Sequence, residues 1–171
     1  MFKAIGIICI LIGCVGWGNM KIRQERERIR HLHTMRRILE RMRTEIAYGK
    51  HTLPEICLML AEMNDICYQK CFRRIYEAAA EGGSGLPELW RAEFQAFLKD
   101  QPLQEEEREL FAGLPDRLGF QEETGQAESI GRLEALLAQK GGQAEEGCEN
   151  RTKMIRSVSI LTGLLLTIWL L

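Results

Sequence analysis

Three residue types in this chain could carry chemistry: histidine, cysteine and clustered glutamate. His31, His33 and His51 could offer imidazole nitrogens to a metal. His31 and His33 stand two positions apart, however, which on a helix points them roughly 200° from each other, so a solvated face is the plainer reading. Cys67 and Cys71 are one helical turn apart, and with Cys57 they could form a thiolate or zinc site. No CxxC pair is present, and cysteine also packs as a small apolar residue. The other cysteines, Cys9, Cys14 and Cys148, add no staple pattern, and a set of free thiols suits a reducing compartment. Glu105, Glu106, Glu107 and Glu109 could act as general acids or bases. Consecutive acids on a short helix radiate into water, and near a helix start they favour its dipole, so they read first as an exposed acidic face and a candidate partner surface. The sequence holds no GxxxxGKS/T, no nucleophile elbow and no HExxH. These readings leave no catalytic residue, no metal site and no cofactor, and they describe a protein that is not an enzyme.

The elements that would carry these residues are bounded by the two ends of the chain. Of 171 residues, Ala4 to Met20 and Val158 to Leu171 are uncharged and strongly apolar. The first run is near the lower length limit for crossing a bilayer, with Trp17 where an interfacial aromatic belongs. The second, at about 1.5 Å per residue, falls short of a ~30 Å hydrocarbon core and needs Ile155 and the aliphatic stems of Lys153 and Arg156. Trp169 lies near its outer edge. Formal net charge is only -1, yet the distribution is lopsided: Lys21, Arg23, Arg26, Arg28 and Arg30 follow the first run, and Arg151, Lys153 and Arg156 precede the second. By the positive-inside rule the middle is cytoplasmic. The expectation is a two-span hairpin: an N-terminal transmembrane helix over 1–20, a cytoplasmic helical domain over 21–153 and a C-terminal transmembrane helix over 154–171. Leu11-Ile12-Gly13-Cys14 also has the form of a lipoprotein cleavage box, but the basic run that follows it opposes translocation. That run has no interleaved aromatics and abuts the bilayer, so membrane lipid rather than nucleic acid is its partner.

Between the ends the pattern is helical throughout. Leu32, Met35, Leu39, Met42 and Ile46 recur at three- and four-residue steps, and no glycine or proline interrupts Met20 to Tyr48, so one helix should run from the first span to Gly49. Thr52 reads as an N-cap before Pro54 and Glu55, with Ile56 and Leu60 inward. Further helices are expected over Ile66 to Ala80, from Leu86 with Trp90, Phe94 and Leu98 inward, and over Leu103 to Ala112. The last begins near Gln121, carries Ile130, Leu133 and Leu137, and continues through a weak point at Gly141-Gly142. No strand-type alternation appears, so the fold class is all-α, a membrane-anchored helical bundle.

Glu45-Ile46-Ala47-Tyr48-Gly49-Lys50-His51-Thr52-Leu53-Pro54-Glu55 resembles the EIxYG and PL element of the stage III sporulation protein AB family. Gly83 to Trp90 is similar to that family's glycine-rich loop and tryptophan helix, and Phe111, Gly113, Leu118 and Gly119 match its apolar-glycine-leucine-glycine element. Pro115, Gln121 and Glu122 depart from the pattern. The family is in turn similar to the inner-membrane platform proteins of type II secretion and type IV pilus machines, whose cytoplasmic domains are six-helix bundles. The resemblance implies a scaffold in the mother-cell membrane facing the forespore, part of a secretion-like channel complex. Its implied partners are a cytoplasmic secretion-type ATPase of the stage III sporulation protein AA family and other channel proteins, with a homo-oligomer left open. Glu45, Tyr48, Gly49, Leu53, Pro54, Trp90, Gly113, Leu118 and Gly119 are expected to serve turns and packing. A membrane-tethered adaptor that transmits no force is the alternative.

Overall fold

The stretch from Met20, free of glycine and proline, continues the apolar run before it as one helix, α1 (Phe2–Thr44). The protein is described by a computed structural model over residues 2–49, 51–63, 65–81, 85–118 and 123–170. Its side chains are described over the same residues except 2–15, 17–18, 117, 123–124, 156, 159–160 and 162–170. The seam read from the sequence is the buried one: Leu32, Met35, Ile38, Leu39 and Met42 are all closed off from solvent. The helix does not keep α geometry to Gly49. Thr44 donates its hydroxyl to the Glu40 carbonyl at 2.9 Å. That back-bond competes for the carbonyl an α-helical N–H would use and loosens the turn, and Glu45–Gly49 continues as a π turn.

The helices that follow are α2 (Leu53–Leu60), α3 (Ile66–Ala80), α4 (Leu86–Lys99), α5 (Glu105–Ala112), α6 (Leu114–Leu118) and α7 (Glu123–Leu170). All described regular structure is helical, in agreement with the expected class. Thr52 stands at the N-cap of α2, and Pro54 lies in its first turn. There Pro54 gives up no hydrogen bond, because the first N–H groups of a helix have no intrahelical partner. A six-helix domain was expected, and the described residues contain a seventh helix, α6. Pro115 makes it possible: a residue that breaks a helix interior is well suited to a helix's first turn.

The chain divides into two compact units, Arg30–Gly141 and the paired ends Met1–Ile29 with Gly142–Leu171. In the first, neighbours in sequence pack on one another, α2 on α3, α3 on α4, and α4 on both α5 and α6. Its centre is aromatic. Trp90 meets Phe94 at 4.7 Å, Phe72 at 5.4 Å and Phe111 at 5.7 Å between ring centroids, and Tyr68 stands 6.2 Å from Phe94. Ile130, Leu133 and Leu137 of α7 are buried in the same unit. In the second unit Arg151 donates to the Glu25 carboxylate at 2.9 Å, an exposed pair that fixes the register of the two helices there more than it adds stability.

α7 passes through Gly141-Gly142 without a break, and a methyl group at either position would meet nothing within 4 Å. Alanine should therefore fit at no steric cost and remove the entropy penalty of glycine, about 1 kcal/mol at each site. Gly141→Ala with Gly142→Ala is expected to slow amide exchange across this part of α7 in the full-length protein, by the protection factor that about 2 kcal/mol implies. Unchanged exchange would show that α7 opens elsewhere first.

Candidate functional site

The corner between α1 and α2 is the site the sequence marks most densely, and its geometry follows from one carboxylate. Glu45, on the π turn, sits 2.9 Å from the Arg41 guanidinium and 3.8 Å from His51 Nε2, and His51 Nδ1 is 3.8 Å from Glu55. An alternating row of charged and imidazole groups thus ties the end of α1 to the start of α2. Gly49 lets these groups approach, because a Cβ there would lie 2.6 Å from the His51 ring and 2.8 Å from the Glu45 carboxylate and would push both side chains aside. Leu53 and Pro54 are half-buried behind the corner. Tyr48 alone points outward and is 86 % exposed. Glu45, Gly49, Leu53 and Pro54 are thus half-buried at this corner, whereas Tyr48, expected to serve turns and packing, stands exposed.

Glu55 closes the cap of α2, accepting from the Thr52 N–H at 2.7 Å and from its hydroxyl at 2.9 Å. The backbone and hydroxyl donors of Thr52, with the nearby His51, hold its carboxyl below the ordinary value of 4.5. A lowered folded pKa means that the cap's contribution is fully present above the ordinary glutamate range and is lost as pH falls through the folded value. Stability measured from pH 6 to pH 3 should decline less steeply in Glu55→Gln than in the unaltered chain. Parallel curves would remove Glu55 from the acid response.

The other motif residues are supports. The Trp90 indole donates to the Phe111 carbonyl at 3.0 Å, in the last turn of α5. Gly113 follows directly, and a Cβ there would press to 3.0 Å of the Glu109 carbonyl oxygen. Leu118 is buried, and its carbonyl accepts from Gln126 Nε2 at 2.9 Å, joining α6 to α7. Gly119 lies outside the described residues, as does the side chain of Cys14.

The acidic helix divides. Glu105, Glu106 and Glu109 are exposed, with Glu106 2.9 Å from Lys140 and Glu109 accepting from Gln95 at 3.3 Å. Glu107, expected on the same solvated face, is instead fully buried and accepts from the Gln104 N–H at 2.9 Å. The reason is its place: three residues past the N-cap, a glutamate side chain turns back to close the cap. Three of the four carboxylates therefore face solvent.

Histidine and cysteine form no shared site. His31 Nδ1 lies 3.1 Å from the Tyr68 hydroxyl and belongs to the aromatic core, whereas His33 is exposed. Among the described residues no group of three or more His, Cys, Asp or Glu side chains is placed to hold a metal ion. Cys57 and Cys71 are buried, which pushes their thiols up to about 12 and about 11. Cys67 is exposed, beside Cys71 in a groove of about 300 Å³ lined by Lys70, Arg74 and Phe97. Because the thiolate is the nucleophile, iodoacetamide is expected to alkylate Cys67 ahead of Cys57 and Cys71 in the folded chain, as peptide mass spectrometry would show. Equal labelling of all three would mean that α3 opens readily.

A further clasp lies outside these motifs: Glu134 of α7, largely buried, lies 3.4 Å from Arg43 and 3.9 Å from Arg36 of α1. Both arginines stand on a basic helix, and only the fold brings a carboxylate to them.

Comparison with known proteins adds three findings. The profile of the stage III sporulation protein AB family matches residues 3–171. The stage III sporulation protein AB of Bacillus subtilis (strain 168) is 23 % identical over 171 residues, covering 100 % of both chains. A solved structure of a stage III sporulation protein AB superposes with a TM-score of 0.64 at 20 % identity, over 72 % of this chain and 97 % of that one. At that identity the superposition speaks for the all-helical fold alone.

Proposed function

This chain belongs to the stage III sporulation protein AB family, and from that premise we propose that it serves sporulation as a non-enzymatic membrane platform. The platform would belong to a secretion-like channel complex in the mother-cell membrane facing the forespore. Its cytoplasmic helical domain would dock a secretion-type ATPase of the stage III sporulation protein AA family and meet other channel proteins. The observation that carries the reading is that both apolar ends of the chain fall in one compact unit, with Glu25 and Arg151 paired across it. On the sequence pattern, two apolar runs each with a basic flank toward the middle of the chain would form a two-span hairpin. Among the described residues no helix is long and apolar enough to cross a membrane. The side chains of the two apolar runs lie mostly outside those residues, so the spans rest on the sequence pattern.

A domain fixed to lipid at both ends cannot tumble freely, so a motor docked on it can pass displacement to the membrane or to assembled partners. Glu105, Glu106 and Glu109 supply one exposed acidic face on which such a partner could sit. The reading is tested by co-purification from detergent: the ATPase should be retained when both proteins are overproduced, and its consistent absence would sink the platform. A soluble fragment from Lys21 to Lys153 should fail to restore sporulation to a deletion strain. Full restoration by that fragment would instead identify a tethered adaptor that bears no force.

A further inference from the structure

Three of the arginines of α1, Arg30, Arg37 and Arg41, stand exposed along one side of the helix, around a buried Thr34. The helix carries ten Lys and Arg against three Glu, in a chain whose net charge is -1. Within the compact unit Arg30–Gly141, its buried seam is Leu32, Met35, Leu39 and Met42. Arg30, Arg37 and Arg41 follow one another at steps of seven and four residues, which return to the same side of a helix at 3.6 residues per turn, opposite that seam, and Tyr48 follows seven residues later on the π turn. All four are exposed, and Tyr48 most of all.

One acid engages the row at its far end and others flank it. Glu45 engages Arg41 from the π turn at 2.9 Å, and Glu40 lies to one side along the helix. Asp65 reaches the row indirectly: Thr34 donates to it at 3.5 Å while accepting from Arg37 at 3.2 Å. Arg36 and Arg43 belong to the Glu134 clasp and not to this face. The aromatic at the end of the row is presented on the π turn, next to the Glu45–His51 contact.

We propose that this face of α1, with Arg30, Arg37, Arg41 and Tyr48, is a docking surface for an acidic protein segment carrying apolar side chains. Charge complementarity selects the partner, since three exposed guanidiniums in line favour carboxylates at matching spacing. The aromatic end argues for protein over lipid: arginine and tyrosine together are the residues that most often anchor protein interfaces. The surface goes beyond the platform reading, because it is defined by partner chemistry and holds whether or not the ATPase is the protein that brings the carboxylates.

The test uses the full-length chain in phosphatidylcholine vesicles and a fluorescent peptide of repeating Glu-Glu-Leu, with repeating Lys-Lys-Leu as the probe of opposite sign. The acidic peptide should bind with an affinity that falls steeply with salt, and the basic one should not. Arg30→Glu with Arg37→Glu and Arg41→Glu should weaken binding about tenfold or more. The corresponding triple Gln variant should weaken it less, and it serves where charge reversal disturbs folding. Tyr48→Ala should lower affinity several-fold and leave the salt dependence unchanged, as loss of a neutral anchor does. Lys70→Glu with Arg74→Glu, on α3, should bind like the unaltered protein. Three results would each overturn the proposal: undiminished binding in the triple variants, equal loss in the α3 variant, or displacement of the peptide by added phosphatidylglycerol vesicles, which would make lipid the occupant.

Discussion

Trp90→Ala is expected to destabilise the Arg30–Gly141 unit by about 4 kcal/mol, most of what a domain of this size has to spare. Two losses combine. The indole is buried against Phe72, Phe94 and Phe111, so truncation removes a large apolar area and leaves a cavity that three surrounding rings cannot fully close. The indole N–H also serves the Phe111 carbonyl at 3.0 Å. That carbonyl lies in the last turn of α5, where no further helical N–H arrives to satisfy it. Without Trp90 it remains buried and unpaired, at a cost of about 1–3 kcal/mol. Trp90→Phe separates the two contributions, since it keeps most of the ring contact and loses only the donor, and should cost about 1–2 kcal/mol. Denaturant unfolding of the full-length protein measures both. If the two variants are equally destabilised, the hydrogen bond dominates and the aromatic packing argument fails; if neither falls below the unaltered chain by 1 kcal/mol, both arguments fail.

The helices were legible because their signals are local. The seam from Leu32 to Met42, the cap at Thr52, the proline in the first turn of α2 and the inward face of α4 each depend on residues within one or two turns, and all stand where the pattern put them. The misreadings come from two other causes. α6 and the π turn were missed because a single residue acts against its usual sense. Pro115 reads as a break but starts a helix, and Thr44 reads as a helical residue but its hydroxyl takes the Glu40 carbonyl. The site residues were harder, because their roles depend on what the fold brings near. Arg36 and Arg43 cannot be told from Arg30 and Arg37 by sequence, since all four are arginines on a basic helix. Glu134, arriving from α7, separates them into an internal clasp and an open face. Tyr48 likewise sits in the motif that most resembles the family, and only its exposure distinguishes it from its packed neighbours.

Glu107→Ala is expected to cost about 2 kcal/mol, although the residue lies in a run of glutamates that reads as a solvated face. Replacing Glu105, Glu106 or Glu109 should change stability by no more than about 0.5 kcal/mol each, because these carboxylates are exposed and their ion pairs are screened. Glu107 differs in position alone. It is fully buried, and its carboxylate accepts the Gln104 N–H at 2.9 Å, one of the donors at the start of α5 that has no helical partner. Alanine removes the acceptor and the buried side chain behind it, so the cap energy and the packing of Glu107 are lost together, although the exposed Gln104 N–H can turn to water. Glu107→Gln retains an acceptor oxygen of the same reach and should recover at least half of the loss. Thermal unfolding of the four single alanine variants gives the comparison directly. One variant should stand apart from three that resemble the unaltered protein, and a uniform set would mean that Glu107 belongs to the solvated face after all. The same contrast bears on docking: a partner that binds this helix through its carboxylates can use only the three exposed ones, so Glu107→Gln should leave that binding intact while the other three substitutions weaken it.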